Sequence, residues 1–178
     1  MLIFQTPRLE IKSLKKEDKP FYAELLTAPE IVGLIPQPPF PAEQIDEMFI
    51  KYSAEYEQPG VADKTIWGVY EIGSPELIGL CAILHNDEGD KELGYRFRQP
   101  YWGMGFGTEL TRFTIDYFFE KLDFDLLTAD AWVENQGSTK ILERFFALQR
   151  EFYNPELNCW DRRYALTRET WSSNNDAK

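Results

Sequence analysis

Short segments of the chain either alternate apolar and polar residues with a period of two or are brief, mostly apolar runs, and both patterns predict β-strands. They lie at residues 6–14, 66–72, 77–85, 92–98, 127–133 and 159–167. Elsewhere apolar residues recur three or four positions apart, which indicates helices with one buried face. These helices are expected from residue 18 onward, at 42–57, after residue 108 to about 122, and at 139–149. Residues 33–41 hold one glycine and four prolines and predict an irregular loop. This order of elements favours a mixed α/β domain.

Residues 101–108, Tyr-Trp-Gly-Met-Gly-Phe-Gly-Thr, place three glycines among bulky residues directly before a predicted helix. Glycine lets the chain turn tightly and approach a ligand closely. Amides of such a turn at a helix N-terminus favour an anion, so the stretch predicts a phosphate site. It lacks the lysine of a P-loop and the Gly-x-Gly-x-x-Gly spacing of a dinucleotide site. A glycine-rich connection without a ligand remains the alternative.

Composition excludes several other classes of function. A net charge of −11 argues against a nucleic-acid partner. A length of 178 residues is typical of a single domain. No apolar run reaches the roughly 18 residues of a membrane helix, so no membrane partner is expected. The single histidine, His85, excludes a multi-histidine metal site, and no metal is expected. The N-terminal segment is too short and uncharged to be a secretory signal, which predicts a cytoplasmic protein. Cys81 and Cys159 are expected to be two buried thiols.

Five segments in chain order together resemble the GCN5-related N-acetyltransferases (GNAT), and specifically their RimJ/RimL branch. They are Thr-Pro-Arg-Leu at 6–9, Glu-Leu-Gly-Tyr at 92–95, the glycine stretch through 109, residues 134–143, and residues 161–169. The resemblance covers roughly residues 5 to 171. Two departures stand out: Met104 replaces the usual basic residue of the glycine stretch, and Phe146-Ala147 replaces the usual Gly-Phe after the last helix.

The resemblance implies the GNAT fold in a single domain over residues 1–178. That fold is a central, mostly antiparallel sheet of about six to seven strands with helices on both faces and a splayed parallel strand pair. It also implies acetyl-CoA as the acetyl donor. The pyrophosphate is expected on the backbone of Gly103, Met104, Gly105, Phe106, Gly107 and Thr108. The pantetheine arm is expected on a free backbone edge at Phe97 and Arg98 and on Asn135 and Ser138.

The resemblance further implies direct attack of an amine on the thioester in a ternary complex. Glu92 matches the position of the base, and Ser138 could bond the leaving sulfur. The alternatives are a solvated strand carboxylate for Glu92 and a helix N-cap for Ser138. Weaker candidates are Asp130 as base, Tyr95 and Tyr101 as proton donors, and Lys140, Arg144 and Arg112 for the 3′-phosphate.

The acceptor is expected to be a small-molecule amine or a peptide N-terminus, and the protein a monomer or homodimer. Two other functions stay open. One is a catalytically silent acyl-CoA sensor of the same fold. The other is a domain that binds a different phosphate ligand.

Overall fold

The computed structural model describes residues 1–53 and 64–176. Eight strands lie in these ranges: β1 (Leu2–Gln5), β2 (Leu9–Lys12), β3 (Thr65–Glu71), β4 (Leu77–His85), β5 (Lys91–Phe97), β6 (Leu126–Trp132), β7 (Ala147–Asn154) and β8 (Cys159–Thr167). Six helices accompany them: α1 (Lys19–Thr27), α2 (Pro29–Val32), α3 (Ala42–Ser53), α4 (Phe106–Tyr117), α5 (Gln136–Leu142) and α6 (Arg168–Asp176). A π-helical turn, Phe118–Leu122, continues α4.

The strands form one sheet in the order β1-β2-β3-β4-β5-β6-β8-β7. Neighbouring strands are antiparallel except β5 and β6, which run parallel. A parallel pair in the middle of an antiparallel sheet needs a crossover, and α4 provides it. The expected mixed α/β architecture with its parallel pair is therefore confirmed, although the sheet has eight strands instead of six or seven.

Helices cover both faces of the sheet because successive strand residues point to opposite sides. On one face Trp67 of β3 and Leu93 of β5 belong to a core that includes Leu110 of α4. On the other face Tyr70 of β3 lies in a second core with Tyr22 of α1 and Phe49 of α3. Alternate residues of a single buried strand thus serve two cores, which is why β3 has almost no exposed position.

The expected helix at 139–149 is wrong in its second half. α5 ends at Leu142, and Ala147 already begins β7. Phe146 keeps the helical spacing and is buried, but it reaches the core from the connection between the two elements. β7 was not predicted from the sequence. Its first five residues are all exposed, so apolar and polar residues do not alternate along it. β1 and α6 were also not expected, and residues 54–57 of the second predicted helix lie outside the described residues.

The two cysteines are free and buried, as expected, on β4 and β8. His85 ends β4, as expected of a strand-end residue. Within the described ranges, every helix is too short or too polar to cross a bilayer.

Candidate active site

β5 and β6 start side by side and then diverge. Glu92 and Thr128 are in register, and within the described residues no further register pair follows along the two strands. Thr128 closes this end, because its hydroxyl donates to the Lys91 carbonyl (3.0 Å) and accepts from the Asn86 side-chain amide (3.2 Å). Toward the other end of β5 the sheet opens into a gap between the two strands, here called the splay.

Backbone groups of β5 face the splay. The Arg98 amide donates to the Ile78 carbonyl of β4 (2.9 Å). Since hydrogen-bonded and non-bonded pairs alternate in an antiparallel ladder, the amides and carbonyls of Tyr95 and Phe97 point away from β4 and into the splay. The Phe97 carbonyl accepts a hydrogen bond from the Trp102 indole nitrogen (2.8 Å). The open edge is therefore formed by Tyr95 and the Phe97 amide, with the Phe97 carbonyl already engaged.

Arg98 does not provide the free backbone edge that was expected of it, and that expectation is wrong. Its amide faces β4, and its carbonyl accepts from the Tyr101 amide (3.0 Å). Its guanidinium pairs with Glu24 (2.9 Å) and with Glu76, and lies 4.3 Å from the centre of the Phe21 ring. The residue joins α1 to the sheet, one position beyond the end of β5.

The glycine stretch turns tightly before α4, and its three glycines have different structural roles. Gly103 and Gly105 have φ of 73° and 80°, in the left-handed region that favours glycine, and Gly105 caps α4. A Cβ at Gly103 would meet no atom within 4 Å, so its surface is open to a ligand. A Cβ at Gly107 would lie 2.9 Å from the Ile141 Cδ1 atom. Gly107 therefore lets α4 and α5 pack closely, whereas Gly103 and Gly105 shape the turn.

The turn is held by the N-terminal segment. Glu109, in the first turn of α4, accepts from the Thr6 hydroxyl (2.5 Å), the Arg8 amide (2.9 Å) and the Arg8 Nε atom (2.6 Å). Arg8 Nη1 also donates to the Met104 carbonyl (2.9 Å). The Thr-x-Arg-Leu opening and the glycine stretch are thus one unit in space. Sequence reasoning noticed both motifs but not this contact, for which the sequence carries no local signal.

Glu92 lies on the α1–α3 side of β5, together with Gly94 and Arg96, since these residues alternate with the core residues of the opposite face. The pKa of Glu92 is raised to about 8, mainly by burial and also by repulsion from Asp130, while attraction to Arg163 opposes both. Among the described residues no hydrogen bond holds its carboxyl. A carboxyl that titrates near neutral pH can take up and release a proton under physiological conditions.

Asp130, the weaker candidate for the base, is occupied. Both of its carboxylate oxygens accept from Arg163, at 2.9 and 2.6 Å. Arg163 also donates to Asp87 (2.5 Å). A carboxylate whose two oxygens both accept from one arginine has little remaining capacity to accept a hydrogen bond from a substrate amine. Glu92 is therefore better suited to proton transfer than Asp130.

Ser138 lies at the start of α5, on the opposite face of β5 from Glu92. Its hydroxyl is 3.2 Å from the Tyr95 hydroxyl. The N-cap interpretation of Ser138 is wrong, because Asn135 caps α5: its Oδ1 atom accepts from the Ser138 amide (3.1 Å). The Asn135 side-chain nitrogen donates to the Leu34 carbonyl (2.9 Å), so both polar atoms of this side chain are in use.

The remaining candidates are scattered. Tyr101 donates to Glu76 (3.1 Å), away from the Tyr95–Ser138 pair. Arg144 lines a cavity of about 630 Å³ against β6 and β8, and the residues lining that cavity do not include the glycine stretch. Lys140 and Arg112 are exposed on α5 and α4. Among the described residues, no three histidine, cysteine or acidic side chains are grouped closely enough to hold a metal ion.

Comparison with known proteins agrees with this geometry. The family model of the acetyltransferase (GNAT) domain matches residues 8–145. The chain is 27% identical over 139 residues to the uncharacterized N-acetyltransferase p20 of Bacillus licheniformis, covering 77% of each sequence. The chain therefore belongs to the GNAT acetyltransferase family.

Solved structures agree on the fold. Spermidine N-acetyltransferase from Vibrio cholerae, in complex with CoA and spermine, superimposes with a TM-score of 0.75 at 18% identity, over 92% of this chain and 98% of that one. RimL, the ribosomal L7/L12 α-N-protein acetyltransferase in complex with coenzyme A, gives a TM-score of 0.76 at 14% identity, over 96% and 99% of the two chains. At these identities the likeness concerns the fold alone.

Proposed function

We propose that this protein is an N-acetyltransferase of the RimJ/RimL type that moves an acetyl group from acetyl-CoA to an amine. The observation that carries the proposal is the open backbone edge of Tyr95 and Phe97 beside the turn at Gly103 and Gly105. An extended, amide-containing chain that ends in a pyrophosphate matches both features. We also propose that residues 1–178 form a single catalytic domain and that the protein is cytoplasmic and acts as a monomer or homodimer.

The donor lies across the splay. Backbone amides of residues 103–108 bind the pyrophosphate, and the dipole of α4 favours its charge. The open surface at Gly103 leaves room for it. The pantetheine amides pair with the edge at Tyr95 and Phe97. A backbone amide of this edge polarises the thioester carbonyl, and one such donor is typically worth about 10²–10³ in rate.

Glu92 takes the proton of the acceptor amine, directly or through a water molecule. An α-amino group has a pKa near 8, so about a tenth is neutral at pH 7 and a weak base is sufficient. The pKa of Glu92, about 8, is close to that of such an amine. The amine nitrogen forms the new bond to the acetyl carbon, and the carbon–sulfur bond breaks.

The coenzyme leaves as a thiolate, and the Ser138 hydroxyl donates a hydrogen bond to its sulfur. The Tyr95 hydroxyl, in contact with Ser138, passes on the proton that the thiolate finally takes and regains one from solvent. Burial raises the pKa of Tyr95, which keeps this hydroxyl protonated. Spermidine and a ribosomal protein are acceptors named for two of the similar structures. For this chain both a small amine and a peptide N-terminus are candidates.

Two measurements test the proposal. Binding of acetyl-CoA is measured by calorimetry, and turnover by thiol release with a panel of amines and peptides. Glu92→Gln and Ser138→Ala are compared with Glu43→Gln, which removes an exposed carboxylate from α3. We expect slower turnover in the first two variants only. No binding of acetyl-CoA would refute the proposal, and binding without turnover of any acceptor would favour an acyl-CoA sensor instead. Equal rates in all variants would refute the roles of Glu92 and Ser138.

A further inference from the structure

Arg96 is a mostly buried cation on the acceptor side of β5. Its Nη1 group donates to the Leu25 carbonyl in the last turn of α1 (3.0 Å) and to the Gln37 side-chain oxygen (2.9 Å). Both hydrogens of Nη1 are then used. Three further N–H groups, one on Nε and two on Nη2, have no acceptor among the described residues. Neither nitrogen is among the fully buried polar atoms of the described residues that lack a partner.

Other arginines of this region pair with carboxylates of the described residues, whereas Arg96 does not. Arg98 pairs with two carboxylates and Arg163 with three. Arg96 forms no ion pair with any described residue. Removing a cation from water without a counter-ion is unfavourable. Consistent with this, burial lowers the pKa of Arg96 to about 10.

A second cation lies nearby. Burial lowers the pKa of Lys64, repulsion from Arg96 and Lys51 lowers it as well, and attraction to Glu92 opposes them. Lys64 is thus close enough to Arg96 and Lys51 to be repelled by both, with the carboxyl of Glu92 opposing them, in a chain whose net charge is −11. Such a group of cations favours an anionic ligand.

Gly94 lies between Arg96 and Glu92 on the same face of β5. It has no side chain, and the Leu84 side chain of β4 packs beside it, 3.2 Å from where a Cβ atom would lie. At about 3.3 Å per residue, the Cα atoms of Glu92 and Arg96 are roughly 13 Å apart. The two side chains can shorten this distance, so one compact molecule can reach both. The free Nε and Nη2 groups of Arg96 form the planar fork that binds a carboxylate or phosphate through two hydrogen bonds.

We propose that the acceptor carries a carboxylate or a phosphate as well as its amine, and that Arg96 binds this anion while Glu92 faces the amine. The inference rests on the proposed N-acetyltransferase function and narrows its substrate class to compact, anionic amines. Arg96 is then a specificity-determining residue and takes no part in proton transfer.

The test uses pairs of amines that differ only in the anion. Glycylglycine is compared with glycylglycinamide, and 4-aminobutyrate with 4-aminobutanamide, for a carboxylate. Phosphoethanolamine is compared with ethanolamine for a phosphate. We expect kcat/KM to favour the anionic member of at least one pair by about 10- to 100-fold, and the pair that shows this identifies the anion.

Three variants locate the preference. Arg96→Gln should reduce the ratio within the pair to about one, and Arg96→Lys should retain part of it. Gln37→Glu places a carboxylate beside Arg96 without touching the arginine, so it should also weaken the preference, even if Arg96→Gln folds poorly. Arg150→Gln, which removes an exposed arginine from β7, is the control and should keep the full ratio.

Binding is measured in addition to turnover. The measured quantity is the rise in the protein's melting temperature when each amine of a pair is added. Equal rates and equal melting shifts within every pair would overturn the inference, and so would a preference that survives in both Arg96→Gln and Gln37→Glu. A melting shift that needs the anion and Arg96, without acetylation of any amine, would support the anion site and refute the proposed function alone.

Discussion

Replacing Glu92 by glutamine should stabilise the folded protein at neutral pH. Burial raises the pKa of Glu92 to about 8, against 4.5 for an ordinary glutamate. Between these two values the folded chain holds a proton that the unfolded chain has released. The stability of the folded chain is therefore complete below pH 4.5 and declines as the pH rises toward 8.

The size of the effect follows from this interval. Each pH unit within it lowers the free energy of unfolding by about 1.4 kcal/mol. The accumulated loss at pH 7 is about 3 kcal/mol, as an order of magnitude. Glutamine at position 92 carries no charge at any pH and avoids the loss. Glu92→Gln should thus match the wild type near pH 4.5 and exceed its free energy of unfolding by about 3 kcal/mol at pH 7.

Urea unfolding of both proteins between pH 4.5 and 8 measures the difference. Glu109→Gln is the control of opposite sign. Burial pushes the pKa of Glu109 up, but hydrogen bonds from Thr6 and Arg8 hold it below its ordinary value. Its contribution to stability is present at neutral pH and is lost as the pH falls, so Glu109→Gln should be destabilising at pH 7 and less so in acid. A constant difference between the wild type and Glu92→Gln across this range would refute a raised pKa at Glu92.

Three further variants test the other parts of the site. Asn135→Ala removes the cap of α5 and should lower the free energy of unfolding by about 1 kcal/mol, measured in urea, while Asn135→Ser should retain most of the stability. Gly103→Ala should cost about 1–2 kcal/mol of stability through its positive φ and weaken acetyl-CoA binding about tenfold. Gly89→Ala, with φ of 84° and equally open surroundings, should show the same cost with no loss of affinity in calorimetry. Ser138→Ala should lower kcat about tenfold at an unchanged dissociation constant for acetyl-CoA, and an unchanged kcat would remove Ser138 from the mechanism.

Strands that are buried on at least one face were predictable from the sequence, because burial leaves a pattern of polarity. The strand predicted at 77–85 has the same bounds as β4. β7 is an exposed edge strand and leaves no such pattern. The apolar spacing through Phe146 predicted a helix that in the structure ends at Leu142. Spacing alone cannot distinguish the buried face of a helix from a connection whose side chains reach the core.

At the site, the sequence located features that depend on neighbouring residues. The turn at Gly103 and Gly105 and the position of Glu92 on a strand are of this kind. Contacts that join distant segments could not be read in the same way. The hydrogen bonds from Thr6 and Arg8 to Glu109 and the absence of a described counter-ion at Arg96 depend on how strands and helices pack. The error at Arg98 has a similar origin, since its backbone direction is set by the register with β4.

The bonds from Thr6 and Arg8 to Glu109 have a consequence for the exchange of backbone amide hydrogens. The same segment is closed by the Leu9 amide, which donates to the Thr6 hydroxyl (2.9 Å). If the β1–β2 segment opens, Glu109 and the Met104 carbonyl lose their partners, and the turn before α4 loses its support. Opening of this segment and loss of the turn should therefore be a single local unfolding event. A molecule bound at the turn would then slow hydrogen exchange at Leu9, although the two are separated by about a hundred residues of chain.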